Sequence, residues 1–434
     1  MNVTTRVGLI AGAAALSLTG VGVAGTSAEA QSTDTRIAEL EAQVAELRGE
    51  GWLNEQRADE VRSIVQDVLA DADTRASLMQ NGMSGGYNGG FTLGSADGNW
   101  SLKLNGLSQV RFVWNNQDDS SGDTNRWGFE NRRTRLKFSG HVVDPSWGYM
   151  IYGDFWSSGS FNLLDAWISK SFENGWSMRV GQFKEAYLRE FLTSAAKGLT
   201  VERSLVNSEF STGRVQGVSF DYSGDQFRGN LQWHNGMGRT NSTALTMDTE
   251  MAFAARGEFL AAGNWKQFGD MTSRRGSEYG ALVGFAANYE RGEFGTTSTG
   301  DQTETTGLTV DVAAESDGWN VFGALVYRML DTNGGTDLDQ YGMVVQGGYY
   351  FSDDLEGFAR YEWGDLDTTA DDLSVLTLGV NKYFSGHNMK WTTDLGYGIN
   401  TVTSSWASSG AGYRADSGTD DGQFVLRSQL QVAF

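Results

Sequence analysis

Arg133, Arg135 and Lys137 recur at every second position of one stretch, and Ser139 and His141 continue the series. Leu136, Phe138 and Val142 fall on the other parity. On an extended chain this sets three cations on one face at steps of about 7 Å. Such a ladder attracts anions and passes them on, provided that each site binds weakly. Lys103, Arg111 and Arg179 occupy the polar parity of neighbouring runs, and Lys197, Arg203 and Arg214 lie in or beside the connection 185–213. Asp154 and Asp165 stand where they could pair with these cations. Each single arginine therefore has two readings, as a site for a passing anion or as half of an ion pair in the wall.

Other chemistries lack their parts. The histidines are His141, His234 and His387, far apart in sequence and on separate runs or turns, so no acid–base or nucleophilic set is expected and the chain is not read as an enzyme. With no cysteine there is neither disulfide nor thiolate site. No phosphate-cradling loop and no metal spacing occurs; the acidic stretches Asp331 to Asp339 and Asp365 to Asp372 lack the calcium-loop pattern. We therefore expect no cofactor and no metal. A net charge of −21 disfavours a nucleic-acid partner.

The elements that must carry the ladder follow from the period. From Asn99 to Phe434 apolar and polar residues alternate, as in Val110, Phe112 and Trp114 against Gln109 and Arg111, or Leu430, Val432 and Phe434 against Gln429 and Gln431. Sixteen such runs begin near residues 99, 130, 147, 162, 175, 214, 226, 250, 277, 305, 318, 339, 355, 372, 387 and 421. Tight turns are expected after every second run, at Asp144-Pro145-Ser146, Glu173-Asn174-Gly175, Ser223-Gly224-Asp225, Ser316-Asp317-Gly318, Ser352-Asp353-Asp354 and Ser385-Gly386-His387, with longer polar loops between. One turn, 261–276, is too long for the rule. Short turns on one side and long loops on the other, strands of about ten residues, aromatic residues near strand ends and a terminal Phe434 together predict an all-β, 16-stranded antiparallel transmembrane barrel. Hydrophobic residues make up only 39% of the chain, which suits a wall with one face to lipid and one to water. The loop 185–213 carries Phe191, Leu192, Leu199, Leu205 and Val206, which fit a loop packed inside the barrel rather than one in solvent.

Ahead of the barrel, residues 1–30 read as a signal peptide: Arg6, an apolar stretch to Gly25, then Ala28-Glu29-Ala30 before Gln31. Residues 31–80 read as a periplasmic helical segment. Ile37, Leu40, Val44 and Leu47 keep coiled-coil spacing and Val61, Ile64, Val65, Val68 and Leu69 follow; a helix lying against the barrel is the alternative. Residues 81–96 read as a Gly-rich linker and 97–434 as the barrel.

Several motifs, in order, resemble the phosphate-selective porin O and P family. They are Asp97 to Arg111, Asn131 to Gly140, Tyr152-Gly153-Asp154-Phe155, Leu164-Asp165-Ala166-Trp167, Gly181-Gln182-Phe183-Lys184 and Glu202-Arg203-Ser204, then Gly357 to Glu362 and Leu378 to Phe384. After Gly181-Gln182-Phe183-Lys184 the chain has Glu185-Ala186-Tyr187 where the family usually has Pro-Phe. The resemblance implies a homotrimer of sixteen-stranded barrels whose third outer loop narrows the pore.

The expected function is passive diffusion of small hydrophilic solutes through an outer-membrane porin, with a bias to anions, phosphate-like ions among them. Its pore-lining residues would be Lys103, Arg111, Arg133, Arg135, Lys137, Asp154, Arg179, Lys197, Arg203 and Arg214. The competing expectation is a structural tether with little selectivity, residues 31–80 contacting the cell wall. Outer-membrane lipid and small anionic or neutral solutes are the expected partners.

Overall fold

The computed structural model describes residues 82–117, 124–155, 159–244, 249–294, 301–333, 335–368, 370, 372–416 and 422–434, with six helical positions upstream, Ala38, Glu41, Ala42, Val44, Ser63 and Gln66. The expected signal peptide and the rest of the expected coiled coil lie outside these residues. Residues 1–78 and 79–434 are separate compact units.

Among the described residues, sixteen antiparallel strands form the wall of the second unit. They are β3 (Ser101–Asn116), β4 (Asn125–Val142), β5 (Asp144–Phe155), β6 (Phe161–Ser171), β7 (Trp176–Lys184), β8 (Arg214–Ser223), β9 (Phe227–His234) and β10 (Thr249–Ala262). Then follow β11 (Gly280–Phe294), β12 (Asp301–Ser316), β13 (Trp319–Thr332), β14 (Leu338–Ser352), β15 (Leu355–Asp365), β16 (Leu373–Ser385), β17 (Met389–Gly398) and β18 (Phe424–Ala433). Each pairs with the next, and β18 closes the barrel on β3 from Phe424↔Asn116 to Ala433↔Leu107. Closure leaves no wall edge unpaired in lipid. The burial pattern is inside-out. Ile151, Val180, Leu231, Phe285, Leu325 and Leu378 are exposed, whereas Gln109, Gln232, Asn288, Thr377, Thr392 and Gln429 are buried. Ring pairs such as Trp176 with Tyr222 and Tyr397 with Phe424 sit at strand ends, where an aromatic girdle lies.

Residues 81–96 depart from the expected linker. They hold a hairpin, β1 (Ser84–Tyr87) and β2 (Phe91–Gly94), and β2 pairs with β3 from Phe91↔Leu104 to Gly94↔Ser101. The reason is an edge. Pairing with β18 stops at Leu107, so the start of β3 would otherwise expose unpaired backbone. Gly89 and Gly90, at φ 57° and 153°, supply the turn that a bulkier residue would strain. The Phe91 ring meets Phe434 at 5.7 Å between centroids, and Phe434 lies over Gly106, where any side chain would collide with its ring. The turn expected at Asp144-Pro145-Ser146 also moves. The chain reverses at Val143, with φ 70°, and Pro145 sits at the start of β5, where its missing N–H is tolerated.

Three segments turn into the barrel and make its core. The loop 185–213 carries α1 (Arg189–Leu192), a 3-10 turn at Ala195–Lys197 and α2 (Leu205–Phe210), whose N-cap Ser204 accepts from Asn207 N at 2.8 Å. Tyr187, Leu188, Leu205, Val206 and Phe210 pack on Val402, Trp406, Ala411 and Tyr413 of the outer loop 399–423, which the alternation pattern did not single out. The long turn, spanning 263–279 between β10 and β11, also enters the lumen and buries Phe268, Met271, Thr272 and Ser273.

Candidate functional site

A cavity of about 1190 Å³ runs along the β3–β10 side of the lumen, from the hairpin at Tyr87 and Gly89 to the inward loop at Phe191 and Arg203. Four lysines (103, 137, 184 and 197) and eight arginines (132, 133, 135, 179, 203, 214, 228 and 256) line it, against three carboxylates, Asp165, Asp221 and Glu258. The cationic lining therefore outweighs the acidic lining by a wide margin, although the whole chain carries −21.

The ladder positions 133, 135 and 137 all face this space, and most of their neighbours are paired. Glu202, at the turn of the inward loop, accepts from Arg133 Nη2 at 2.7 Å, Arg132 Nε at 2.8 Å and Arg111 Nη1 at 3.2 Å. Burial alone would raise the Glu202 carboxyl; the guanidiniums of Arg133, Arg132 and Arg111 overcome it and hold the group well below the usual carboxylate range. Arg135 binds Asp154 at 2.6 Å, Arg214 binds Asp165 at 3.1 Å and Arg179 binds Asp221 at 3.2 Å. Arg203 donates to the carbonyls of Glu190, Phe191 and Thr193, at 2.9, 3.3 and 2.8 Å, so it staples its own loop while facing the cavity.

Two of the expected pore-lining residues are not on the open surface. Arg111 is 1% exposed, enclosed by Glu130, Glu202 and the Gly410 carbonyl, because the loop 399–423 folds over it. Asp154 is buried between Arg135 and the Thr134 N–H. Lys382, on the parity of the lipid-facing Leu378 and Val380, points outward and pairs with Asp354, while its neighbours Asn381 and Tyr383 face in. Two lining residues escaped the alternation argument. Arg132 is the extra residue of a bulge in β4 opposite Gln109 and Val110 of β3; the bulge turns it inward beside Arg133, and strict period two gives no sign of it. Glu202 is one of four carboxylates in the loop, with Glu185, Glu190 and Glu209, and its place in the motif Glu202-Arg203-Ser204 was the signal that set it apart.

Lys103, Lys137 and Lys197 stand apart: among the described residues none of them has an ion-pair partner or a side-chain hydrogen bond, whereas Lys184 and Arg203 donate to loop carbonyls and Arg228 lies over the Trp265 ring. Lys103 and Lys197 are the cations that act on Lys137. Asp165 acts on it too, but its carboxylate is engaged by Arg214. Other cations of the wall are cross-bridged: Arg256, at the β10 edge of the cavity, with Asp311 at 2.8 Å, and, outside it, Arg360 with Glu362 at 2.8 Å and Arg427 with Asp394 at 2.7 Å. The histidines remain apart, His141 against Ser101, His234 against Gly236 and His387 against Asp270.

At the root of the inward loop, Glu185 accepts from Asn288 Nδ2 at 2.9 Å and is fully buried, which pushes its carboxyl up to about 7. Between its ordinary value of 4.5 and about 7 the folded chain keeps a proton that the unfolded chain has released. Stability therefore falls as pH rises through that window. Glu185→Gln, which still accepts from Asn288, is expected to flatten this dependence. Urea unfolding of parent and variant at about pH 5 and about pH 8 measures it, and an equal slope in both would remove Glu185 as the cause.

The profile of the phosphate-selective porin O and P family matches residues 106–401. The chain belongs to this family. A lipid-facing belt on a closed barrel of this porin family places it in the outer membrane. An uncharacterized protein of Aquifex aeolicus (strain VF5) is 26% identical over 262 residues, which cover 52% of the chain and 60% of that relative's length. Solved structures share the fold: an anion-selective porin from Comamonas acidovorans at a TM-score of 0.56 and 15% identity, covering 77% of this chain and all of that one. The outer membrane channel DcaP of Acinetobacter baumannii follows at 0.54 and 14%, over 77% and 98%. The trimer form of OmpT of Vibrio cholerae gives 0.51 and 15%, over 77% and 99%. In this porin the family resemblance of the first strands thus coincides with the basic side of the lumen.

Proposed function

We propose that this porin forms a water-filled channel for passive diffusion of small hydrophilic solutes and favours anions, phosphate-like ions among them. The observation that carries the reading is the basic cavity with its three lysines, 103, 137 and 197, which have no carboxylate partner among the described residues. A cation held by an ion pair offers little to a passing anion; an unpaired one in a narrow, poorly screened passage offers a weak site. Lys103, Arg133, Arg135, Lys137, Arg179, Lys197, Arg203 and Arg214 are the proposed lining, and Arg111 and Asp154 support it from behind. The anion-selective porin among the structures of like fold is consistent with this bias. The working form is a homotrimer, a reading in line with the trimer form of the OmpT structure. Residues 31–80 form its periplasmic coiled coil, whose short heptad run gains from three chains already held together. The reading is tested by the reversal potential of the purified protein in a planar bilayer across a tenfold KCl gradient. The sign of an anion-preferring channel is expected; a cation-preferring sign, or no channel activity from a folded barrel, overturns it and leaves the tether.

A further inference from the structure

The turn 263–279 is the part of the barrel that the channel reading leaves without a task. Turns on its side of the wall otherwise take a few residues, yet this one enters the lumen and reaches the inward loop. Met271 N–H donates to the carbonyl of Lys197 at 3.1 Å. Arg189, in α1, donates to the carbonyl of Phe268 at 2.7 Å and to Glu258, on the strand leading into the turn, at 3.2 Å. Met271 also packs against Leu199, two residues beyond Lys197. Its other face is fastened to the barrel. The Thr272 hydroxyl donates to Glu356 at 2.7 Å, Ser273 Oγ to the Ser316 carbonyl at 2.9 Å and Gly276 N to Asp317 at 2.6 Å, while Trp265 Nε1 donates to the Gly224 carbonyl at 3.0 Å.

We infer that residues 263–279 are a strap that positions the constriction loop: held to the periplasmic rim, the strap fixes Arg189 and Lys197 and so sets both the bore of the pore and the placement of its unpaired lysine. The physical ground is entropy. A loop of 29 residues tied only at its ends samples many positions of its tip, and hydrogen bonds to a second, anchored segment, one from the backbone and one from Arg189, remove that freedom. The strap also fills the lumen beside β11–β15, where Met271 packs with Phe322 and Phe358, which leaves the basic side as the route past it. The inference rests on the channel reading for its readout, and the experiment separates the two.

Arg189→Gln removes the guanidinium that joins α1 to the strap and leaves the wall intact; Arg189→Lys keeps the charge and one donor. A second variant deletes residues 264–277. Folded barrels, selected by heat-modifiable migration, are compared with the parent by single-channel conductance and by reversal potential in a KCl gradient. For Arg189→Gln we expect conductance up by roughly half, noisier open levels and an ion preference moved towards cations, with partial return in Arg189→Lys. The deletion is expected to go further, to roughly twofold. Unchanged conductance and unchanged reversal potential in Arg189→Gln overturn the strap, whether or not the deletion folds. A parent without anion preference whose conductance still rises in Arg189→Gln retains the strap and overturns the selectivity reading instead.

Discussion

Glu202→Ala is expected to lower the unfolding free energy of the barrel by on the order of 3–5 kcal/mol, the usual cost of removing one partner from a buried charge cluster. Glu202 is 7% exposed and receives Arg111, Arg132 and Arg133 together. Without it, three cations on two adjacent strands face one another with Glu130, which pairs with Arg111 alone, Gln109 and the Gly410 carbonyl as remaining acceptors. The loop would also lose the tie that holds its turn against β3 and β4, so current through the pore should rise and fluctuate. The pH dependence has a definite sign. A carboxylate held below its ordinary value contributes its full stability above that value and loses it only as pH falls towards the folded one. Parent and variant should therefore differ fully at neutral pH and converge only in strong acid. Urea unfolding of detergent-folded protein, followed by tryptophan fluorescence, measures the gap. A difference under about 1 kcal/mol would mean that the cluster is solvated and that Glu202 is a rim charge.

The second large effect concerns selectivity. Replacing Lys103, Lys137 and Lys197 together by Gln is expected to reduce the preference for anions by roughly tenfold while the barrel folds as before. None of the three closes an ion pair among the described residues, so their loss strands no buried partner. Each contributes about 1 kcal/mol to an anion passing at contact distance even at the dielectric of water, and three such charges in one passage suffice for a tenfold ratio. Acidic loops lower the anion concentration at the mouth, an effect that added salt removes. The change caused by the lysines should therefore persist at high salt better than any change made in the loops. Arg133, Arg135 and Arg203 serve as the contrast. Their guanidiniums are engaged by Glu202, Asp154 and loop carbonyls, so substitution should cost stability before it alters ion preference. Equal reversal potentials for the lysine variant and the parent in a tenfold KCl gradient would leave the basic wall without a role in selection.

The barrel itself was legible residue by residue, because the property that makes it, alternation, is local. Val110, Phe112 and Trp114 against Gln109 and Arg111 specify which side of β3 meets lipid, and a one-residue slip would reverse every side chain. Sixteen runs and most of their turns followed from the same period. The apolar residues Leu199, Leu205 and Val206 within a polar connection were enough to send the loop 185–213 inward, and all three are buried. The family could be read from motifs for a similar reason, since all but Glu202-Arg203-Ser204 lie mainly within single strands.

What only the tertiary structure decided are the matters that depend on chains distant in sequence meeting across the lumen. Arg132 turns inward through a bulge set by its partner strand, and Arg111 is covered by a loop some 300 residues away, at Gly410. The hairpin at 84–94 formed because β18 stops short of the start of β3, which neither segment announces by itself. Whether a cation is free or paired is likewise a question of three-dimensional neighbours. Arg133 and Lys137 look alike in sequence, four residues apart on one face, yet Glu202 reaches the first and no carboxylate closes on the second. Alternation assigns a side chain to lipid or to water; the geometry of the folded lumen then assigns its partner, and a charge acts on a passing ion only when that partner is missing.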